Sequence, residues 1–445
     1  MISKVLIANR GEIALRILRA CRDLRIDAVV AHSEVDRDSL PVRLADQAIC
    51  IGPAPSTKSY LSVPNIISAA LVTGCDAIHP GYGFLSEDRY FAEICGEYGL
   101  TFVGPTAAAI ARVANKAEAR DVMSAAGLPV LPGSHGPVAS LEDAQLTARG
   151  IGYPVILKAA AGGGGRGMHM ARGDRDLSQV FNLARVEARA AFDNDEVYIE
   201  KYLERCRHVE VQVLGDSQGN IVHLAERECS IQRRHQKLIE EAPGTSIDSS
   251  LRHALGEAAV CGAQALQFTN AGTLEFLVDD DGNFYFMEMN TRVQVEHGIT
   301  ELVTGVDIVK EQLGIASGEP LSFTQEDVAV SGHAVECRIN AEAGRDFRPV
   351  TGTVQTLYLP GGPGVRVDTH LFQGYTIPAH YDSLMIKLMA YGPDREQAID
   401  RMARALDETV IEGLPTTLPF LREVMRDPAF RAGHVYTDYV AAREA

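Results

Sequence analysis

Glu275 and Glu288 lie in the stretch GTLEFLVDDDGNFYFMEMNTR, on either side of Asp281-Gly282. Asp-Gly between alternating apolar residues is a favoured two-residue hairpin turn. Counted outward from that turn, Asp280 faces Asn283 and Glu275 faces Glu288. A four-residue loop from Asp280 to Asn283 gives the same register, whereas a three- or five-residue loop breaks it. Side-chain alternation puts Asn290 on the face of Glu288. Facing carboxylates, with Cβ atoms roughly 4.5–5.5 Å apart, repel each other. A hard divalent cation with oxygen ligands relieves that repulsion, and Mg²⁺ characteristically takes one or two carboxylates together with nucleotide phosphates. The pattern therefore predicts a metal site built from Glu275 and Glu288, with Asn290 on the same face.

The next segment, NTRVQVEH, alternates Arg292, Gln294 and Glu296 as a strand would, so the three are expected on one side. An arginine, an amide and a carboxylate converging there make a small anion site with a general base beside it. Upstream, ECSIQRRHQK gathers Arg233, Arg234, His235 and Lys237 into a local positive patch.

KAAAGGGGRGMHMA, Lys158 to Ala171, holds four consecutive glycines. Glycine costs roughly 0.5–1 kcal/mol relative to alanine inside a regular element, so such a run needs another reason. Bare backbone lets N–H groups approach phosphate oxygens. PVILKA precedes the loop as a strand and sets Lys158 at its end, which predicts a mobile lid over nucleotide phosphates. The loop is not a G-x-x-x-x-G-K-[ST] motif, and the turn after KVLIA lacks the spaced glycines of a dinucleotide fingerprint.

The elements that must hold these groups follow from periodicity. KVLIA reads as a buried parallel strand, followed by a helix with Ile13, Ile17 and Leu18 on one face. DAVVAHS reads as a second strand, AIHPGYGFLSE as a strand followed by a glycine-rich loop, and TFVGP as a fourth strand, which together predict a doubly wound α/β domain. A helical stretch carrying Lys116 follows Pro105. From Tyr153 onward, strands around turns predict an α+β mid-section, and a last segment runs from GHAVECRINAE to the helical REQAIDRMARALDETV. The expected divisions are 1–113, 114–330 with a lid subdomain at about 131–203, and 331–445.

A length of 445 residues exceeds one hydrophobic core. A net charge of −17 argues against a general nucleic-acid binder, so phosphates must be met by local cationic clusters. The eight cysteines form no C-x-x-C pair, which predicts reduced, buried thiols. No apolar run is long enough for a signal peptide or a membrane span, so a cytoplasmic protein is expected.

Taken in order, these clusters resemble the ATP-grasp superfamily, and within it the biotin carboxylases. The resemblance rests on IANRGEIALRI, HPGYGFLSE, GGGGRGM, EKYLE, RHVEVQV, QRRHQK, EEAP, EFL, MEMNTRVQVEH, TGVDIVKEQL, GHAVECRINAE and HYDS, from Ile7 to about residue 390. It implies an N-terminal α/β domain, a central ATP-grasp fold with a glycine-rich lid and a C-terminal biotin carboxylase domain. By that resemblance Lys116, Lys158, His208 and the backbone at Gly164 and Gly165 meet nucleotide phosphates. Glu200, Lys201 and Leu203 match the adenine hinge, with Gln232 and His235 at the ribose and phosphate end. Glu275, Glu288 and Asn290 match the metal site. Lys237, Arg292, Gln294, Val295 and Glu296 match the bicarbonate site, and Tyr82 and Arg338 the surroundings of the biotin ring.

The implied reaction is carboxylation of biotin through carboxyphosphate, with ATP, bicarbonate and two Mg²⁺ or Mn²⁺ ions. Glu296 is its base, with Arg292, Arg338 and Lys237 as its other catalytic groups. No biotinyl-lysine MKM motif occurs, and LMIKLMAYG around Lys387 reads as a core strand. A separate biotin carboxyl carrier protein and carboxyltransferase subunits are therefore implied, with no nucleic-acid or membrane partner, and the resemblance also implies a homodimer. Acetyl-CoA carboxylase, the first step of fatty-acid synthesis, is the implied system. Another acyl-CoA or pyruvate-type carboxylase is an alternative, as is another ATP-grasp ligase, which shares the lid and the metal hairpin but not RHVEVQV, QRRHQK and ECRINAE together. A nucleotide-sensing subunit without chemistry is disfavoured by intact Glu275, Glu288, Arg292, Glu296 and Arg338. Two departures stand out: Ala161 at the first place of a five-glycine lid, and Gly298 where many members have proline, which is expected to loosen the turn.

Overall fold

The computed structural model describes residues 1–160, 168–344 and 346–444. The first segment forms a five-stranded parallel sheet of β1 (Lys4–Ile7), β2 (Asp27–Ser33), β3 (Gln47–Gly52), β4 (Ala77–His79) and β5 (Thr101–Phe102), in the order β3-β2-β1-β4-β5. Alternation within each strand feeds two cores. Val5, Ile7 and Val30 pack with Ile13, Ile17 and Leu18 of helix Gly11–Asp23. Leu6, Val29 and Ile78 pack with Ile66 and Phe91 on the other face. β3 has no counterpart in the sequence reading. It is an edge strand in which only Ile51 is buried, so it lacks the apolar run that marks its neighbours.

The strand order reverses between β1 and β4, and in open α/β sheets ligands bind outside the carboxyl ends of the strands at such a point. The two loops that leave there are tied together by Asn9, whose Nδ2 donates to Pro80 O at 2.6 Å and Tyr82 O at 2.8 Å. That brace fixes Tyr82 at the rim of the central cleft.

The expected helix after Pro105 is two helices, Ala107–Ala114 and Lys116–Ala125. Asn115 divides them because its side chain accepts from the N–H groups of Ala117 and Glu118, an N-cap that starts the second helix. Lys116 thus stands at a helix start, its N–H bonded to Ala160 O at 2.9 Å. A small antiparallel sheet follows, with β6 (Val155–Ala159) between β7 (His169–Ala171) and β8 (Val197–Lys201). Its core of Val155, Leu157, Ile199 and Phe181 is closed by helices Leu141–Ile151 and Asp174–Phe192.

An eight-stranded antiparallel sheet carries the rest. In sequence it uses β9 (Arg207–Gly215), β10 (Ile221–Arg233), β11 (Gln236–Ala242), β12 (Asn270–Val278), β13 (Phe284–Asn290) and β14 (His333–Asn340), then strands Val365–Thr369 and Leu384–Gly392. Its order is β13-β12-β9-β10-β11-β14, then Leu384–Gly392 and Val365–Thr369. Lys387 is fully buried within this sheet, its Nζ 2.8 Å from Val295 O and 3.2 Å from Glu12 Oε2.

The β12–β13 hairpin corrects one expectation and keeps its result. Its loop has three residues, not two: Asp279 N–H donates to Asn283 O, Gly282 N–H donates to Asp279 O, and Gly282 takes φ +81. That shifts Val278 opposite Phe284 and Phe276 opposite Phe286. A bulge at Met287 then shifts the register back, and Glu275 stands directly opposite Glu288.

Candidate active site

Across four neighbouring strands, Glu288, Glu275, Glu210 and Arg227 form one lateral row. His208, Glu210 and Gln212 share a strand face, while Val209, Val211 and Val213 point into the core with Leu274 and Phe276. The row is costly to bury, and cations answer it. Lys116 Nζ is hydrogen-bonded to Glu288 Oε2. Lys237 Nζ lies 2.5 Å from Glu210 Oε2, 3.1 Å from Glu275 Oε1 and 2.7 Å from Glu296 Oε1. His208 Nε2 stands 2.8 Å from Glu275 Oε2, and Glu275 Oε1 also accepts from Asn290 Nδ2 at 2.8 Å and Gln294 Nε2 at 3.0 Å. Burial pushes the Glu275 carboxyl up, but Lys237 and His208 outweigh it and hold the group below the usual carboxylate range. An ionised Glu275 facing Glu288, with the amide of Asn290 beside it, is an all-oxygen donor set that fits a hard divalent cation.

The segment after β13 is not a strand. It bends at Arg292 and turns at Val295 and Glu296, and Glu296 becomes the N-cap residue of helix His297–Thr304. Arg292 and Gln294 do meet, with Nη1 donating to Oε1 at 2.6 Å. Arg292 also donates to Asn290 Oδ1 at 3.1 Å and to Glu87 Oε2 at 2.9 Å. Glu296 instead turns toward Lys237 and toward Arg338, whose Nη2 lies 2.9 Å from Oε2. Burial raises the Glu296 pKa, but Lys237, Arg338 and Arg227 together hold it well below the ordinary carboxylate range. Lys237 and Arg338 are in turn held charged against burial by the carboxylates around them.

Glu275, Glu288, Asn290, Arg292, Gln294, Glu296, Lys237 and Arg338 line one cleft of about 1170 Å³. Lys116, Lys158, Lys201, Leu203, His208, Gln232 and His235 also line its wall. Lys158 Nζ donates to Glu200 Oε2 at 2.6 Å, which holds Glu200 behind the wall rather than on it. Lys201 Nζ reaches the carbonyls of Gly152 and Tyr153 at 3.0 and 2.9 Å. Arg234 and His235 both take positive φ, +49 and +64, in the tight turn that joins β10 to β11. Two side-chain-bearing residues held in the left-handed region are strained, and such strain clusters at ligand sites. Tyr82 lines the cleft too and donates to Glu12, and Arg338 Nη2 contacts Glu240 Oε1 at 2.6 Å. Gly164, Gly165 and Ala161 lie outside the described residues.

Several residues here lie outside those singled out by the motifs. Glu210 pairs with fully buried Arg227 at 2.5 Å. Its signal was present in RHVEVQV, where a polar residue at every second place of a valine strand marks one polar face. Glu87, Glu240 and Glu12 carry no such pattern, because they reach the site from separate loops, strands and helices.

Three family models match the chain. Residues 1–110 match "Biotin carboxylase, N-terminal domain", 115–324 match "Carbamoyl-phosphate synthase L chain, ATP binding domain", and 336–442 match "Biotin carboxylase C-terminal domain". The biotin carboxylase of Nostoc sp. is 55% identical over 438 residues, 98% of each chain. The chain belongs to the biotin carboxylase family. It is accordingly an ATP-dependent ligase with biotin carboxylase activity. Among solved members of the family, the Campylobacter jejuni biotin carboxylase in its beta-gamma-ATP complex superposes with a TM-score of 0.98 at 47% identity, covering 99% of both chains. The biotin carboxylase domain dimer of Hydrogenobacter thermophilus 2-oxoglutarate carboxylase, solved with MgADP, ADP and bicarbonate, gives 0.97 at 46% identity, covering 100% of this chain and 98% of that one. Among the described residues, no helix is long and apolar enough to cross a membrane.

Proposed function

We propose that the cleft carboxylates biotin borne on a separate carrier protein, with ATP and bicarbonate, as the first half-reaction of a cytoplasmic acetyl-CoA carboxylase. The observation that carries the reading is Glu296, ionised and buried between Lys237 and Arg338, within one cation's reach of the Glu275–Glu288 pair. The ligands named for the Campylobacter and Hydrogenobacter structures, an ATP species, MgADP and bicarbonate, support the same set of substrates here.

In this reading Lys116, Lys158, His208, Gln232 and His235 hold the nucleotide with the lid backbone at Gly164 and Gly165, and the main chain from Glu200 through Lys201 to Leu203 borders the adenine. Glu275, Glu288 and Asn290 would hold Mg²⁺ or Mn²⁺, two ions in all, which would supply charge compensation during phosphoryl transfer. Bicarbonate sits on Arg292, Gln294, Val295 and Lys237. As the anion draws Lys237 toward itself, Glu296 loses part of what depresses its proton affinity and takes the bicarbonate proton. A carbonate oxygen then bonds to the γ-phosphorus and the bond to ADP breaks, giving carboxyphosphate. That species splits into CO₂ and phosphate. The phosphate accepts the N1 proton of biotin, and N1 bonds to CO₂. Arg338 steadies the ureido oxygen, with Tyr82 at the ring.

A carrier protein and carboxyltransferase subunits complete the system, and the chain works as a homodimer, as in the dimeric Hydrogenobacter domain. That relative serves a 2-oxoglutarate carboxylase, so a keto-acid or another acyl-CoA acceptor is the second reading. Labelled bicarbonate incubated with ATP, Mg²⁺ and biotin should give labelled carboxybiotin, and the native complex should then carboxylate acetyl-CoA. Carboxybiotin that the native complex passes only to a keto acid would overturn the acetyl-CoA assignment. No carboxybiotin at all would overturn the reaction.

A further inference from the structure

β11 and β14 are neighbours in the large sheet, and their register sets Glu240 directly opposite Glu336. Both side chains are fully buried, and among the described residues no carboxyl oxygen of either has a hydrogen-bond partner. Arg338 is in ion contact with Glu240, its Nη2 2.6 Å from Oε1. The other charged and titratable groups bearing on the pair are Lys237 of β11, Cys229 of β10, Cys337 of β14, Lys387 of the Leu384–Gly392 strand and Glu296 at the helix start. Two facing carboxyls in such a place cannot both ionise. Burial pushes Glu336 well above the usual carboxylate range despite Lys387, and raises Glu240 to about 7 against the pull of Arg338. Arg338 contacts Glu240, so Glu240 is the member placed to carry charge and Glu336 the member placed to keep the proton.

The same Arg338 Nη2 lies 2.9 Å from Glu296 Oε2. Once Glu296 accepts a proton, Arg338 loses one of its two anionic partners while its own work on biotin is still ahead. We propose that Glu240 and Glu336 are a positioning pair in which Glu336 keeps a proton and Glu240 carries the charge that keeps the Arg338 guanidinium aimed into the cleft while Glu296 is protonated. This inference rests on the proposed function.

The test measures carboxybiotin formation and biotin-independent, bicarbonate-dependent ATPase in wild type, Glu240→Gln and Glu240→Gln/Glu336→Gln. Glu240→Gln should lower carboxybiotin formation at about pH 7 by roughly 10- to 100-fold, the usual cost of removing a group that orients a working side chain, with the ATPase within about 3-fold. In that single variant Glu336 can ionise as pH rises and supply the missing charge. The loss should therefore shrink between about pH 7 and pH 9 in the single variant and persist in the double variant. Wild-type rates in Glu240→Gln, or the same pH-independent loss in both variants, would overturn the pairing alone. Absence of carboxybiotin from the wild type would overturn the functional reading and the pairing with it. If Glu240→Gln fails to fold, infrared difference spectra decide. Wild type should show the C=O stretch of a buried protonated carboxylic acid that Glu336→Gln lacks, and its absence from the wild type would overturn the proposal.

Discussion

Lys237 and Glu296 meet at 2.7 Å, and the same ammonium lies 3.1 Å from Glu275. One cation therefore ties the candidate base to the candidate metal carboxylates. Drawing Lys237 toward a bound anion changes both at once: Glu296 gains proton affinity, and Glu275 is freed toward a cation. The coupling accounts for how the proposed base, Glu296, can be held strongly ionised and yet be placed to accept a proton.

The hairpin pairing of Glu275 with Glu288 leads to the first test. Glu288→Gln keeps the shape but removes one of the two facing charges, and Lys116 loses the carboxylate it holds. ATP turnover at ordinary Mg²⁺ should fall roughly 100-fold or more, the equivalent of several kcal/mol of charge stabilisation. Thermal unfolding should remain cooperative, and added Mn²⁺ or excess Mg²⁺ should recover part of the rate. Near-wild-type turnover at ordinary Mg²⁺ would contradict the pairing.

A second test concerns stability against pH. Asp36 is buried, its Oδ2 2.8 Å from Arg10 Nε and 2.8 Å from the Tyr60 hydroxyl. Burial raises its pKa, but Arg10 and Tyr60 outweigh burial and hold it below the ordinary aspartate value. A depressed folded-state pKa gives stability that is present above the unfolded value and is lost as pH falls through the folded one. Asp36→Asn should cost about 3–5 kcal/mol at neutral pH, because it leaves Arg10 buried without its charge partner. The gap between variant and wild type, read by denaturant unfolding, should close below about pH 4. A gap of constant size across that range would show that the ion pair is not its source.

Much of the fold was legible because its signals are local. Buried strands such as KVLIA and PVILKA announce themselves by apolar runs, and helix Arg395–Glu408 by its spacing. β3 escaped because an edge strand needs few apolar residues. The pairing of Glu275 with Glu288 was legible for a partly wrong reason: its loop is one residue longer than the Asp-Gly pair suggests, and the Met287 bulge restores the count. The alternation of Arg292, Gln294 and Glu296 suggested a common face, but the chain bends there and sends Glu296 to Lys237 and Arg338. Gly298 does not mark a loosened turn. It is buried in the first turn of its helix, where an added Cβ would lie 2.4 Å from Met389 Sδ. Glu240 and Glu336 were beyond reach because their meeting depends on the register of strands about ninety residues apart.

The most direct test compares Glu296→Ala with Arg338→Ser in two assays, bicarbonate-dependent phosphate release without biotin and carboxybiotin formation with it. Glu296 lies beside Lys237 in the proposed bicarbonate site, so its loss should abolish phosphate release and carboxybiotin together. Arg338 is assigned to biotin, and without it Glu296 keeps Lys237 at 2.7 Å. Arg338→Ser should then lose roughly 10²- to 10³-fold in carboxybiotin formation, the worth of one oxyanion-stabilising donor, while retaining most biotin-independent phosphate release. Equal loss of both activities in Arg338→Ser, with phosphate release preserved in Glu296→Ala, would contradict the assignment.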